Sequence, residues 1–198
     1  MALFRENAPI RTCTKTYKNY RTYKRHLILD FKDRCGYCDS SHTWYGGYRS
    51  FHVDHFAPKD KFAHLETIYS NLVYTCPFCN IAKSNKWPSI DATQNLVNEE
   101  GFLDPCNVDF NVHFCRNSDG YINGITNIGK YIVRTLYLNL ERHAVTWQLS
   151  RLQNLIVKYK MLLERELDNE KRKKAEIAHY ALLKIFYDYI IKFDNANK

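Results

Sequence analysis

No uninterrupted apolar run in this chain approaches the ~18–20 residues that a membrane-spanning helix needs, so no helical anchor in a bilayer is expected. The first residues, Met1 to Glu6, lack the basic-then-apolar layout of a secretory signal. No internal repeat or low-complexity tract stands out. Acidic residues are scarce at the N-terminal end. Residues 1–34 hold three acids (Glu6, Asp30, Asp33) against nine Lys/Arg, and carry +6 of the chain's net +8. A cytoplasmic location follows as the expectation. In that reducing compartment seven cysteines favour metal ligation over disulfides, and the odd count leaves at least one unpaired.

The 198 residues are enough for one domain, or one small domain with an appendage, and a hydrophobic content of 45% supplies a core. Along the basic N-terminal segment the cations alternate with Tyr17, Tyr20 and Tyr23. Such a mixture suits nucleic acid, because Lys and Arg neutralise phosphates and Tyr stacks or hydrogen-bonds. It also suits an ordinary solvated helix face, the reading to prefer for a lone basic helix; next to a metal site the two readings stand level.

Apolar spacing predicts a helix over 15–33, ending at Cys35-Gly36, where glycine permits a tight turn. Gly46-Gly47 signals a hairpin turn within the polar loop 39–50. Residues 51–55 alternate as a short strand that Pro58 ends. The run Leu72-Val73-Tyr74 is the next extended piece, and a short helix is expected from Cys79 to Lys86, before Pro88. Residues 88–127 read as a loop-rich middle with turns at Asp104-Pro105 and Asp119-Gly120. Beyond Gly129 the pattern is helical. Val145, Leu149, Leu152, Ile156, Tyr159 and Leu163 form a heptad-like seam, and Ala178, Leu182, Ile185 and Tyr189 mark the inner face of a last helix. Two domains are expected, 1–127 and a helical region 128–198.

Chemistry concentrates between the two cysteine pairs. Cys35-Gly36-Tyr37-Cys38 and Cys76-Pro77-Phe78-Cys79 supply four thiolates at the spacing of a structural zinc site. A redox reading of the same pairs requires a thioredoxin-like strand–helix context that is missing. Cys13, Cys106 and Cys115 are bystanders. His55 has the pKa of a general base, and Asp54 offers an anionic oxygen to a hard cation. Asn80, directly after the last cysteine, offers a neutral amide oxygen. Asp54 and His55 are adjacent on a strand, so both serve one site only if the strand stops there. Lys59 and Lys83 are candidate phosphate contacts, each equally readable as a solvated lysine. His52 can line the site; it, His64 and His113 read more readily as packed or surface histidines.

These residues, in this order, resemble the HNH (ββα-metal) endonuclease family over about residues 27–88. The resemblance implies an α+β fold with a zinc-stapled ββα-metal core, an N-terminal helix and a C-terminal helical appendage. It implies Asp54 and Asn80 as ligands of a catalytic Mg2+ or Mn2+, His55 as general base, Asn71 as the residue bracing the loop, and Zn2+ on the four cysteines. The last motif position is Asn here, where the family name has His. More loosely, Gly101-Phe102-Leu103-Asp104-Pro105, Asp119-Gly120-Tyr121-Ile122 and Leu136-Tyr137-Leu138-Asn139-Leu140-Glu141-Arg142 look like bacterial HNH proteins of anti-phage systems, the Septu type among them. That likeness implies DNA as substrate and an ATPase or sensor subunit as partner, met by the C-terminal helices. Two alternatives stand beside it: a non-catalytic zinc-dependent nucleic-acid-binding module, and a docking subunit of a larger complex.

Overall fold

The computed structural model describes residues 2–165 and 168–196. Its centre is a two-stranded antiparallel ribbon, β2 (His52–His55) and β3 (Leu72–Thr75), followed at once by the helix α2 (Pro77–Lys83). The register pairs Asp54 with Val73 and His55 with Leu72. β3 is buried along its whole length, and β2 passes from exposed His52 to buried Asp54 and His55. The ribbon therefore delivers those two side chains into the body of the protein. α2 begins at Pro77, two residues before the position expected from sequence. The Sγ of Cys76 accepts the Cys79 N–H as the helix cap, and proline suits the first helical turn, whose N–H groups have no intrahelical partner. It stops at Lys83 rather than Lys86, because Ser84 adopts a positive φ of 47°.

The N-terminal helix is shorter than the periodicity suggests. A 3-10 turn at Tyr20–Tyr23 leads into α1 (Lys24–Asp30). Asn19 caps that turn by accepting the Arg21 N–H. Upstream of it the chain runs back along α1 instead of extending it: Thr12 gives both its N–H and its hydroxyl to the Asp30 carboxylate, at 2.7 and 2.6 Å. Gly46 and Gly47, both at positive φ, close a 3-10 turn over His42–Tyr45 and do not join two strands. Gly36 differs from them. It lies outside the positive-φ set, and what demands glycine is space: a Cβ there would lie 2.7 Å from Val73 Cγ1 and 2.8 Å from Phe31 Cε1.

The middle of the chain forms two small antiparallel arrangements. β4 (Leu96–Val97) pairs with β5 (Glu100–Gly101). β1 (Ala2–Leu3), β6 (Phe114–Arg116) and β7 (Ile122–Gly124) form the other sheet, in the order β1-β6-β7. Arg116 is wholly buried, and its guanidinium donates to the carbonyls of Phe4, Gly120 and Cys38 at 2.7–3.0 Å. Arg5 likewise donates to the carbonyls of Gly36 and Pro105, and Arg11 pairs with Asp104 at 2.8 Å. The turn at 103–105 is thus anchored from the N-terminal segment.

α3 (Asn127–Thr135) packs on β7 and contributes Ile132 to the common core. α4 (Glu141–Leu163) buries Val145, Leu149 and Leu152 and half-buries Ile156, Tyr159 and Leu163, the predicted seam. α5 (Asn169–Asn195) packs against α4, with Ala178, Leu182 and Tyr189 of the expected inner stripe half-buried and Ile185 departing from it. Ile185 is 45% exposed, and Phe186 takes the inward place, with Phe193 also reaching Trp44 at ring separations of 6.3 and 6.1 Å. Among the described residues, no helix is long and apolar enough to cross a membrane.

Candidate metal centre and active site

All seven cysteines are free thiols, and four of them meet. Cys35, Cys38, Cys76 and Cys79 are buried, with their sulfurs all within 4.8 Å of one another. A tetrahedral ion with Zn–S bonds of ~2.3 Å sets its sulfurs roughly 3.8 Å apart, and Cys38 and Cys76 stand at 3.8 Å. Burial drives the thiols of Cys76 and Cys79 well above their ordinary pKa. At Cys38 burial pushes the same way, but hydrogen bonds from the other three thiols overcome it and hold Cys38 well below. Four thiols crowded out of water fit a soft divalent cation and have little else to satisfy them. The cluster could hold zinc. Cys13 and Cys106 stand half-buried, and Cys115, though buried, is outside the cluster.

A polar network extends this centre to α4. Ser40 Oγ lies 3.3 Å from Cys38 Sγ and 3.2 Å from Thr146 Oγ1, and His143 Nδ1 lies 3.3 Å from the Tyr45 hydroxyl. Trp44 Nε1 donates to Ser150 Oγ at 2.8 Å. The first half of α4 is therefore built onto the first cysteine pair. Sequence reasoning found no sign of this, since the partners lie about a hundred positions apart.

On the other side of the ribbon, β2 ends at His55. The chain then turns, with Phe56 N–H bonding the Asn71 carbonyl and Pro58 opening a tight turn. His55 Nε2 lies 2.9 Å from the Glu66 carbonyl. A carbonyl only accepts, so Nε2 carries the proton and Nδ1 keeps its lone pair. Burial lowers the His55 pKa, and the Glu66 carbonyl opposes that in part. The Tyr20 ring meets the imidazole edge-on at 4.7 Å. An imidazole so held, neutral near pH 7 and with one nitrogen free, is equipped to take a proton.

Asp54 is buried beside it. Its Oδ2 receives the Tyr37 hydroxyl at 3.0 Å and lies 4.0 Å from Lys83 Nζ. Burial raises the Asp54 pKa to about 6, against the lowering pull of Lys83, Tyr37 and the His55 backbone. The burial that raises this pKa also rewards a bound cation, because both responses remove an uncompensated negative charge from low dielectric. Lys83 is placed otherwise than at a phosphate. It is wholly buried, donates to the His55 carbonyl at 3.1 Å, and is walled by Trp87 and Phe102 at 5.9 and 5.3 Å. Its stem projects from α2 into the ribbon, so its charge serves Asp54 and the His55 backbone from within.

Asn71 is buried at the head of β3. Its side chain accepts from Ala57 N–H at 2.8 Å and donates to the Ala57 carbonyl at 3.0 Å, which closes the loop that follows His55. Asn80 is half-buried on α2, with its N–H bonded to the Cys76 carbonyl. It lies three residues before Lys83 and so on the same side of the helix. Asp54 and His55 are thereby brought together with Lys83, on a helix whose cap is a cysteine of the cluster. Lys59 is partly exposed. It pairs with Glu66 at 3.0 Å and lies 4.8 Å above the Tyr20 ring. With Lys18, Arg21 and Tyr20 it lines an open cleft of about 340 Å³ next to His55. His52 and His64 are exposed, and His113 is occupied with Thr126 at 2.7 Å. Tyr37 and Tyr20 were missed as neighbours of the site; only their place inside a cysteine pair and a basic segment hinted at them.

A family model described as HNH endonuclease matches residues 35–86, from the first cysteine of the cluster to just past α2. This match and the four-cysteine cluster fit the HNH family and support a nuclease-type function. No curated protein and no solved structure matches the chain.

Proposed function

We propose that the protein is a metal-dependent endonuclease that hydrolyses DNA phosphodiester bonds. One observation carries the reading most directly. A histidine with a single free nitrogen stands next to a buried carboxylate of raised pKa, inside the span matched by the HNH model. His55 Nδ1 takes the proton of the attacking water. Asp54 and Asn80 would hold Mg2+ or Mn2+ through hard oxygen donors, and Asn71 keeps the loop after His55 closed. An ion there would supply positive charge to the phosphate and to the departing 3′ oxygen. Lys59, with Lys18 and Arg21 along the cleft, meets the phosphate backbone, so binding is governed by backbone charge rather than base sequence. Zinc on the four cysteines is structural.

The hairpin of α4 and α5 leaves Met161, Ile177, Tyr180 and Tyr187 more than half exposed. These side chains support docking onto a partner, which we take to be an ATPase or sensor subunit that gates cleavage in the cytoplasm. A role in anti-phage defence rests on the turn and helix motifs alone. The test is nicking of plasmid DNA in a Mg2+ and Mn2+ series, wild type against His55→Ala, with zinc content and circular dichroism matched. Metal-dependent cleavage lost in His55→Ala is expected. Cleavage retained in His55→Ala refutes the assignment of the base, and DNA binding without cleavage in any metal returns the binding-module reading.

A further inference from the structure

We propose that Tyr37 is a positioning residue that ties the cysteine centre to the metal-binding carboxylate, so that the first cysteine pair sets how Asp54 meets its cation. The inference rests on the nuclease reading above and extends it to a residue that no motif assigns. Tyr37 lies between Cys35 and Cys38, 1% exposed, and its hydroxyl donates to Asp54 Oδ2 at 3.0 Å. Its backbone is held as firmly. The Gly36 N–H bonds the Tyr74 carbonyl at 2.8 Å, and Gly36 approaches Val73 so closely that no side chain fits between them. Val73 is the antiparallel partner of Asp54. The Cys35–Cys38 turn, the ribbon and the carboxylate are therefore joined at one rung of the ladder.

The second cysteine pair reaches the same oxygen by another route. Cys76 and Cys79 build the first turn of α2, and one turn later Lys83 approaches Asp54 Oδ2 at 4.0 Å. Both halves of the cluster thus converge on one carboxylate oxygen. Phenylalanine would fill the volume of Tyr37 equally well. A buried phenol, by contrast, is costly unless its hydroxyl is bonded, and this hydroxyl is bonded to Asp54. Hydrogen bonds to a liganding carboxylate orient it, and their loss commonly weakens metal affinity about 10–100-fold.

The experiment compares wild type, Tyr37→Phe and Asp54→Asn for zinc per chain, for Mn2+ affinity by electron paramagnetic resonance, and for cleavage across a Mn2+ titration. Tyr37→Phe is expected to keep its zinc, to bind Mn2+ about tenfold more weakly, and to recover most of its cleavage rate at saturating Mn2+. Mn2+ affinity within about twofold of wild type, alongside a normal Asp54-dependent signal, overturns the role of Tyr37 and leaves the nuclease reading intact. Wild type binding no more Mn2+ than Asp54→Asn removes the nuclease reading and this inference with it. Should Tyr37→Phe fail to fold, 3-fluorotyrosine placed at position 37 puts the question to the native chain. Its fluorine resonance should move on Mg2+ addition, and a resonance unmoved at saturating Mg2+ overturns the proposal.

Discussion

Lowering the pH should weaken binding of the catalytic metal through Asp54. Burial lifts Asp54 to about 6, well above an ordinary aspartate, and a carboxylate binds a divalent ion only when ionised. One unit below that value about one molecule in eleven has Asp54 ionised, so the apparent Kd for Mn2+ should be roughly tenfold higher at pH 5 than at pH 7.5. The same shift has a stability consequence of definite sign. A folded pKa above the unfolded one means that the metal-free fold is favoured by protonation. That contribution is complete below the unfolded value near 3.8 and is lost as pH rises through about 6. The shift corresponds to about 3 kcal/mol at most. Mn2+ should therefore raise the melting temperature more at pH 7.5 than at pH 5. The assay is isothermal titration at the two pH values with melting curves alongside. Excess metal should restore the part of the cleavage rate lost through Asp54 and leave the part lost through His55 protonation. A Mn2+ affinity that is flat between pH 5 and 7.5 would refute the reasoning, because it would remove Asp54 from the metal or the burial from Asp54.

Gly36→Ala places a methyl within 2.8 Å of both Val73 and Phe31; overpacking of that kind costs about 1–3 kcal/mol, readable by urea unfolding, and should also weaken Mn2+ binding. Asn71→Ala removes the side chain that brackets Ala57; a loss of about 1–3 kcal/mol with a larger fall in kcat than in DNA affinity is expected from single-turnover kinetics. Cys38→Ser should lose zinc and soluble folded protein together, since structural zinc contributes folding free energy directly; a zinc-free, well-folded variant would divide the four cysteines into separate sites. Brief chelation should stop cleavage reversibly, with Mg2+ or Mn2+ restoring it while zinc per chain stays constant.

Local chemistry was the legible part of this fold. The two cysteine pairs, the strand ending at His55, the apolar run of β3 and the seam of α4 follow from short-range spacing, and the structure forms each of them. Contacts between distant segments were not legible. Lys83 looked like a helix-surface lysine because nothing nearby in sequence shows that the end of β2 lies beneath it. The helix starts later than periodicity suggests because Asn19 caps the turn at Tyr20 and the segment before it is held to Asp30 through Thr12. Phe186, not Ile185, faces inward on α5 because Trp44, far earlier in the chain, waits there. Tyr37 read as one of two spacer residues between cysteines, and only the approach of Gly36 to Val73 brings its hydroxyl to Asp54.

The central claim is that two different metals occupy two different places, one structural and one beside His55. Anomalous diffraction from crystals soaked in Mn2+, recorded at the zinc and manganese edges, tests it most directly. The account predicts a zinc peak among the sulfurs of Cys35, Cys38, Cys76 and Cys79 and a separate manganese peak at Asp54 and Asn80. Manganese absent from Asp54 and Asn80 in crystals that cleave DNA, or a zinc peak there in place of the cysteines, would contradict it.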